Sequence, residues 1–529
     1  MNQPKITSMK ADDIQTARRD FMGQALKAAG FAVGGSLFPV GAFAQGPTPK
    51  KGGVMKLGLQ GGSASDSLDP RLINDSIMMV AAYALMNGLV QIGPGGKAEG
   101  ELLESWESDD TATKWTFNVR KGIKFTSGKL LDADDVIYSI NLHRGKTVSP
   151  DRGILKPIQS MTKVGSHQIQ IELDAGNVDF PYVLSDYHLL VVPNGFTNWT
   201  KPDGTGAFEL ESFTPGVRIN LKGKGDGYWK PNCGNFDAVQ ILYINDTGTR
   251  TAALRSGEID GANRLDPRTV DFLIRDPQLT VVRTRGTGSR FCFEMDTSSG
   301  PFKDPNLRLA MKYGINREQI IKTVFNGYAT LGNDDILDPQ MPFYDHALPQ
   351  RHYDPEKAKF YFAKAGAAGR NIELVTSTGA YTQAVDCAEL FQQSLASAGI
   401  KLNIKRVAGD GYWSTVWMKV PFCASYWGRR PTADIALTTA LQSDSNYNDT
   451  HWKNPKFDQL LAQARVERDE AKRAQLYDEC QKMVYDDGGI LCFAIGDYLD
   501  GYSKRVRGNA PTARYDMSDD RICETGWFA

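Results

Sequence analysis

The residues best suited to chemistry lie between positions 410 and 450. Asp410-Gly411-Tyr412-Trp413, Trp417 and Tyr426-Trp427-Gly428-Arg429-Arg430-Pro431 crowd aromatic rings and two guanidiniums into a short stretch, and Tyr447 follows. Large amphipathic rings bury area at small entropic cost and leave an N–H or O–H for a polar ligand. Arginine adds a planar fork for carboxylate or phosphate. This is the chemistry of capture rather than turnover, and it makes Tyr412, Trp413, Tyr426, Trp427, Arg429, Arg430 and Tyr447 the candidate ligand-binding residues. Trp413 and Trp417, four apart on a helix, have a second reading in which both rings face a core, and for Trp417 the core is the expected place.

Catalytic and metal constellations are not apparent from spacing. The chain has six histidines (His143, His167, His188, His346, His352, His451) and no H-E-x-x-H or G-x-S-x-G pattern. A triad assembled from distant residues stays open on spacing alone, but no catalytic residue, metal ligand or cofactor is expected. Seven scattered cysteines lack C-x-x-C spacing. Cys480, in line with Leu476, Met483 and Val484, is expected to pack in a core.

The elements that must hold the aromatic stretch can be read from periodicity. Trp115 to Arg120, Ile169 to Leu173 and Val217 to Leu221 alternate apolar and polar residues, the mark of half-buried strands. Beyond residue 300 the pattern turns helical. Asp304-Pro305 and Asp354-Pro355 each offer a cap followed by proline, and Asn316 with Gln319 forms a cap before Ile320. A helix over 382–398, stopped by Gly399, leads into a strand from Ile400 to Val407. This succession predicts an α/β lobe. Gly204-Thr205-Gly206 reads as a turn, since it lacks the rest of a dinucleotide or P-loop fingerprint.

The whole-chain numbers bound the partners. In 529 residues, 61 basic side chains meet 62 acidic ones, so no positive field exists to hold nucleic acid. The N-terminus carries Arg18-Arg19-Asp20-Phe21-Met22, an apolar stretch from Ala28 to Val40, and Ala42-Phe43-Ala44. These predict a twin-arginine export signal over 1–44, cleaved near Ala44, and a periplasmic product.

The ordered motifs carry more. Trp115-Thr116-Phe117-Asn118-Val119-Arg120-Lys121-Gly122-Ile123-Lys124-Phe125, Ser67-Leu68-Asp69-Pro70, Tyr228-Trp229-Lys230, Ala253-Leu254-Arg255-Ser256-Gly257-Glu258-Ile259-Asp260 and Tyr353-Asp354-Pro355-Glu356-Lys357-Ala358 closely resemble the extracellular solute-binding proteins of family 5, receptors of ABC importers for peptides, nickel and opines. The resemblance implies an α/β fold of two lobes joined by two hinge crossings, with an α+β subdomain inserted in the first. It places lobe I at 45–88, 193–285 and 497–529, the insert at 89–192 and lobe II at 286–496. It implies a monomer that delivers a small-molecule solute to a permease in the inner membrane. In peptide-binding relatives an Asp after the matching Trp captures the peptide's amino group. Here Gly428-Arg429-Arg430 follows Trp427, so the expected solute is polar and anionic, with Arg429 as its main charge contact and Arg430 as helper. A binding module with another output, or less readily an exported hydrolase, is the alternative.

Overall fold

Strands of two kinds, half-buried alternating ones and fully apolar ones, build three main sheets in the computed structural model, which describes residues 48–529 apart from 94, 95, 410, 512 and 513. The expected leader and its Arg18-Arg19 lie outside the described residues. Among the described residues no helix is long and apolar enough to cross a membrane.

The first sheet has seven strands in the order Leu279–Thr284, Tyr498–Ser503, Gly261–Ala262, Val54–Leu59, Ala238–Tyr243, Arg218–Gly223 and Phe208–Thr214. Its parallel centre pairs Met55 with Val239 and Leu57 with Ile241. Their side chains share a core with helix Ser76–Leu85, all of whose residues are buried. Asp75 caps that helix by accepting from the Met78 N–H at 3.0 Å. Gly204 and Gly206 lie against its last turn, where a Cβ would strike the carbonyls of Leu85 and Ala84. The glycines therefore serve close packing.

A four-stranded antiparallel sheet follows the order Leu103–Ser108, Lys114–Val119, Gln168–Leu173 and Ile158–Gly165. Trp115, Phe117 and Val119 point into its own core, as the alternation predicts.

The second large sheet has six strands: Ala329–Leu331, Ile490–Gly496, Arg290–Met295, Phe422–Trp427, Asn371–Thr376 and Lys401–Arg406. One core joins Phe293, Phe422 and Leu374 to helices Pro305–Gly314, Pro355–Lys364 and Ala384–Ser397. Another joins Cys292, Trp427 and Ile495 to helices Ala433–Leu441, Pro455–Val466 and Glu470–Asp487. The expected caps are present: Asp304, Asn316 and Asp354 accept from the N–H groups of Asn306, Gln319 and Lys357 at 2.8–2.9 Å. Helix Arg317–Thr323 follows the Asn316 cap and closes at Val324. Cys480 is fully buried beside Val484.

Two short segments, 285–289 and residue 497, connect the seven- and six-stranded sheets. Where they meet the six-stranded sheet, Gly288 N–H donates to Gly496 O and Gly496 N–H to Ser289 O, both at 2.9 Å. A Cβ on Gly288 would stand 2.6 Å from the Gly496 carbonyl oxygen, so only glycine allows this approach. Asp497 braces the pair by accepting from Gly286 N–H at 2.8 Å and Arg283 Nε at 2.5 Å.

Candidate functional site

Phe422–Trp427 is an interior strand of the six-stranded sheet, and its C-terminal end delivers Tyr426 to the surface and Trp427 to the core. Three exposed rings and the half-buried Trp417 form a row. Tyr426 meets Trp413 edge-on at 5.6 Å, Trp413 meets Trp417 at 5.9 Å, and Trp417 meets Tyr447 at 6.3 Å. Tyr426, Trp413 and Tyr447 are 42%, 40% and 50% exposed, which is unusual for rings of this size and suits a surface that awaits a ligand. The short helix Tyr412–Thr415 sets Trp413 outward because Tyr412 anchors it inward.

Tyr412 and Trp427, both expected at the cleft surface, are buried. Tyr412 donates its hydroxyl to the Ala424 carbonyl at 2.7 Å and packs in the core beneath Trp413. Trp427 packs among Leu337, Met341 and Ala433. The physical reason is the cover of the sheet: helices lie on both faces of strand Phe422–Trp427, so an aromatic next to a turn is still roofed over.

The tandem arginines part company. Arg429 is buried, and its Nε donates to Asp338 Oδ2 at 2.8 Å. Asp338 also pairs with the fully buried Arg290. Arg290 in turn donates Nε to the Ile336 carbonyl at 2.8 Å and Nη1 to the Gly288 carbonyl at 2.7 Å, next to the hinge. Arg429 thus braces the turn to the loop at 333–338, although the sequence marks it for the ligand. Arg430 is only partly buried, and its Nε has no hydrogen-bond partner. Its charge reaches Tyr187 of the segment expected to form the insert. Tyr187 stands edge-on to Tyr515 at 6.3 Å.

Beside the hinge lies a cavity of about 450 Å³, lined by Gln60, Thr247, Arg264 and Arg268 from one side, by Phe291, Phe325, Tyr381 and Tyr426 from the other, and by Gly496 to Leu499 at its back. Tyr426 joins this cavity to the aromatic row. Arg264 adopts φ 48°, rare for a residue with a side chain, and donates Nε to Asp516 Oδ2 at 3.0 Å. The Tyr381 hydroxyl is buried without a partner.

Two carboxylates that sequence reasoning missed sit beneath the row. Asp449 Oδ2 accepts from Trp417 Nε1 at 2.9 Å and Ser425 Oγ at 3.3 Å. Burial pushes its carboxyl up to about 7. Glu294, fully enclosed and close enough to feel that charge, is raised well above the carboxylate range by burial and by Asp449. The available sign was an acid inside the apolar run from Phe291 to Met295. Asp338 gave no such sign, because its partners are distant in sequence.

Capture by enclosure is what this arrangement can do. It offers rings to stack on, one arginine with an open donor, and a hinge of glycines to move about. Residues 97–449 match the model of the bacterial extracellular solute-binding proteins, family 5 Middle. The chain is 26% identical over 472 residues to the glutathione-binding protein GsiB of Salmonella paratyphi A, covering 84% of this chain and 90% of that protein. It is 27% identical over 503 residues to di/tripeptide-binding protein 2 of Pseudomonas aeruginosa, covering 86% and 93%. Its fold matches that of AgaA from A. tumefaciens R10 in complex with agropinic acid, with a TM-score of 0.77 at 24% identity over 90% of this chain and 99% of that one. It likewise matches the periplasmic binding protein DppA of Helicobacter pylori in complex with a peptide, with a TM-score of 0.75 at 23% identity over 90% and 98%. With two lobes, a double hinge crossing and a family match over most of its length, the chain belongs to the bacterial extracellular solute-binding proteins of family 5.

Proposed function

We propose that this protein is the exported receptor of an ABC importer and that it closes its two lobes on a polar, acid-bearing small molecule for delivery to the permease. The observation that carries the anionic part is Arg430, whose Nε faces no acceptor at the end of a strand that also presents Tyr426. A guanidinium there attracts a carboxylate and repels the ammonium of an ordinary peptide. The roles expected for the tandem pair are therefore exchanged: Arg430 makes the charge contact and Arg429 holds the turn through Asp338. Trp413, Tyr426 and Tyr447 supply the stacking surface. Relatives recorded with glutathione and with agropinic acid are in keeping with such a solute.

Delivery in this reading starts from a monomer in the periplasm, sent there folded by the twin-arginine signal at 1–44. Replacing Arg18 and Arg19 by lysine leaves precursor in the cytoplasm; normal export of that variant removes the twin-arginine route. Native mass spectrometry of the protein purified from its own periplasm identifies the retained solute. An acid-bearing molecule is expected, and a neutral or cationic one overturns the proposal.

A further inference from the structure

Two segments on either side of strands Ile158–Gly165 and Gln168–Leu173, at 149–151 and 186–188, bring one imidazole and two carboxylates together. His188 Nδ1, a carboxylate oxygen of Asp151 and one of Asp186 all lie within 4.8 Å of one another. His188 and Asp151 are 5% exposed. The second ring nitrogen of His188 stands 2.8 Å from the Ile73 carbonyl oxygen. A carbonyl can only accept, so Nε2 carries a proton and donates there; Nδ1 is turned to the carboxylates, 2.7 Å from Asp186 Oδ1 and 3.4 Å from Asp151 Oδ1, and donates to Asp186 a second proton that a bound ion displaces. One ring N–H anchored on a carbonyl, with the other nitrogen facing a group of anionic oxygens, is how proteins orient a histidine that binds metal.

A second observation is independent of the cluster's composition. Asp151 Oδ2 is buried and has no hydrogen-bond partner, and leaving a buried carboxylate oxygen unmatched is costly. The rest of the group is held firmly: Asp186 Oδ1 accepts the His188 backbone N–H at 3.0 Å, and Asp151 N–H donates to Ser149 Oγ at 3.2 Å.

We propose that Asp151, Asp186 and His188 form a site for a divalent transition-metal ion. One imidazole nitrogen with two carboxylates is the donor set of Zn²⁺ or Co²⁺, with further positions left for water. No thiolate is present to favour Cu⁺, and the oxygens are too few for Ca²⁺. Such an ion ties together the loops at 149–151 and 186–188, with Ile73 behind the imidazole. It thereby fixes Tyr187, whose ring lies 4.0 Å from that of His188 and faces Tyr515. The site does not depend on which solute the cleft takes.

Full-length mature protein, stripped with a chelator, is dialysed against ZnCl₂ or CoCl₂ and its metal content measured. One ion per chain is expected, with a metal-dependent rise in melting temperature that Asp151→Asn and His188→Gln abolish. Zinc-edge X-ray absorption on the wild type, which needs no variant to fold, is expected to report one imidazole nitrogen among oxygen ligands. Less than stoichiometric metal on the wild type overturns the proposal and leaves His188 as an imidazolium paired with its two aspartates. Stoichiometric metal with unchanged binding in both variants, or a coordination shell without imidazole, overturns it by placing the ion elsewhere.

Discussion

Asp338 is where the division of labour between the tandem arginines can be measured. It receives two buried guanidiniums, Arg290 and Arg429. Asp338→Ala removes the acceptor from both, and breaking a buried pair in this way costs about 3–5 kcal/mol of folding stability. Arg429→Ala leaves Asp338 still matched by Arg290, so at that carboxylate the loss is one charge-assisted bond and its packing, about 1.5–3 kcal/mol. Arg430→Ala removes a partly exposed side chain and changes stability by no more than about 0.5 kcal/mol. Urea denaturation of the three variants therefore ranks Asp338 first and Arg430 last. Solute affinity ranks Arg430 first: losing its bond to an anion weakens binding about tenfold to a hundredfold, and Arg430→Lys recovers part of that. Titration calorimetry on the same proteins gives the second ranking. If Arg429→Ala folds as stably as the wild type yet loses the solute, the buried pair with Asp338 is not what holds that arginine and the assignment reverses. If Arg430→Ala binds unchanged, the anionic solute falls with it.

Binding-induced tryptophan fluorescence changes are expected to vanish in Trp413→Phe and to persist in Trp427→Phe, because only the first ring is exposed; the opposite pattern puts the cleft elsewhere. The Asp449 carboxyl, raised by burial from 3.8 to about 7, keeps its proton in the folded chain where the unfolded chain has lost it. Its stabilising contribution is thus complete below about pH 4 and declines by about 1.4 kcal/mol per unit up to about pH 7. Asp449→Asn should gain on the wild type across that range, and parallel denaturation profiles refute the burial argument. Far from the hinge, Asp179 pairs with Arg473, Val178 N–H donates to the Arg465 carbonyl at 3.0 Å, and Arg468 Nη2 donates to Ser108 Oγ at 2.7 Å. Asp179→Asn weakens this latch by about 1–2 kcal/mol, a roughly 5–30-fold shift toward an open form, seen as a larger radius of gyration by solution scattering; an unchanged radius means the contact does not govern closure.

What the sequence made legible is what local chemistry decides. Strand Lys114–Val119 followed from alternation, and the helices after Asp304 and Asp354 followed from caps that act within three residues. The nearness of Trp413, Trp417 and Tyr426 was foreseeable because a short helix, the turn after it and the next strand carry them. Burial was not. Tyr412 and Trp427 looked like cleft residues because each adjoins a turn, but their surroundings come from residues 290–295, 371–376 and 433–487, and no local pattern reports that cover.

The two arginines state the limit most sharply. Side by side, Arg429 and Arg430 are chemically identical, and nothing within ten residues distinguishes them. The difference between them is made by Asp338, which lies 91 positions away and is itself held by Arg290 from another strand. A buried carboxylate that meets one neighbour and not the other turns the first into scaffold and leaves the second with an unpaired Nε. If Arg430 makes the charge contact as proposed, specificity rests on a pairing that only the folded chain can make, and substitutions in the loop at 333–338 should alter ligand affinity through Arg429 and its turn without touching any residue proposed to meet the solute.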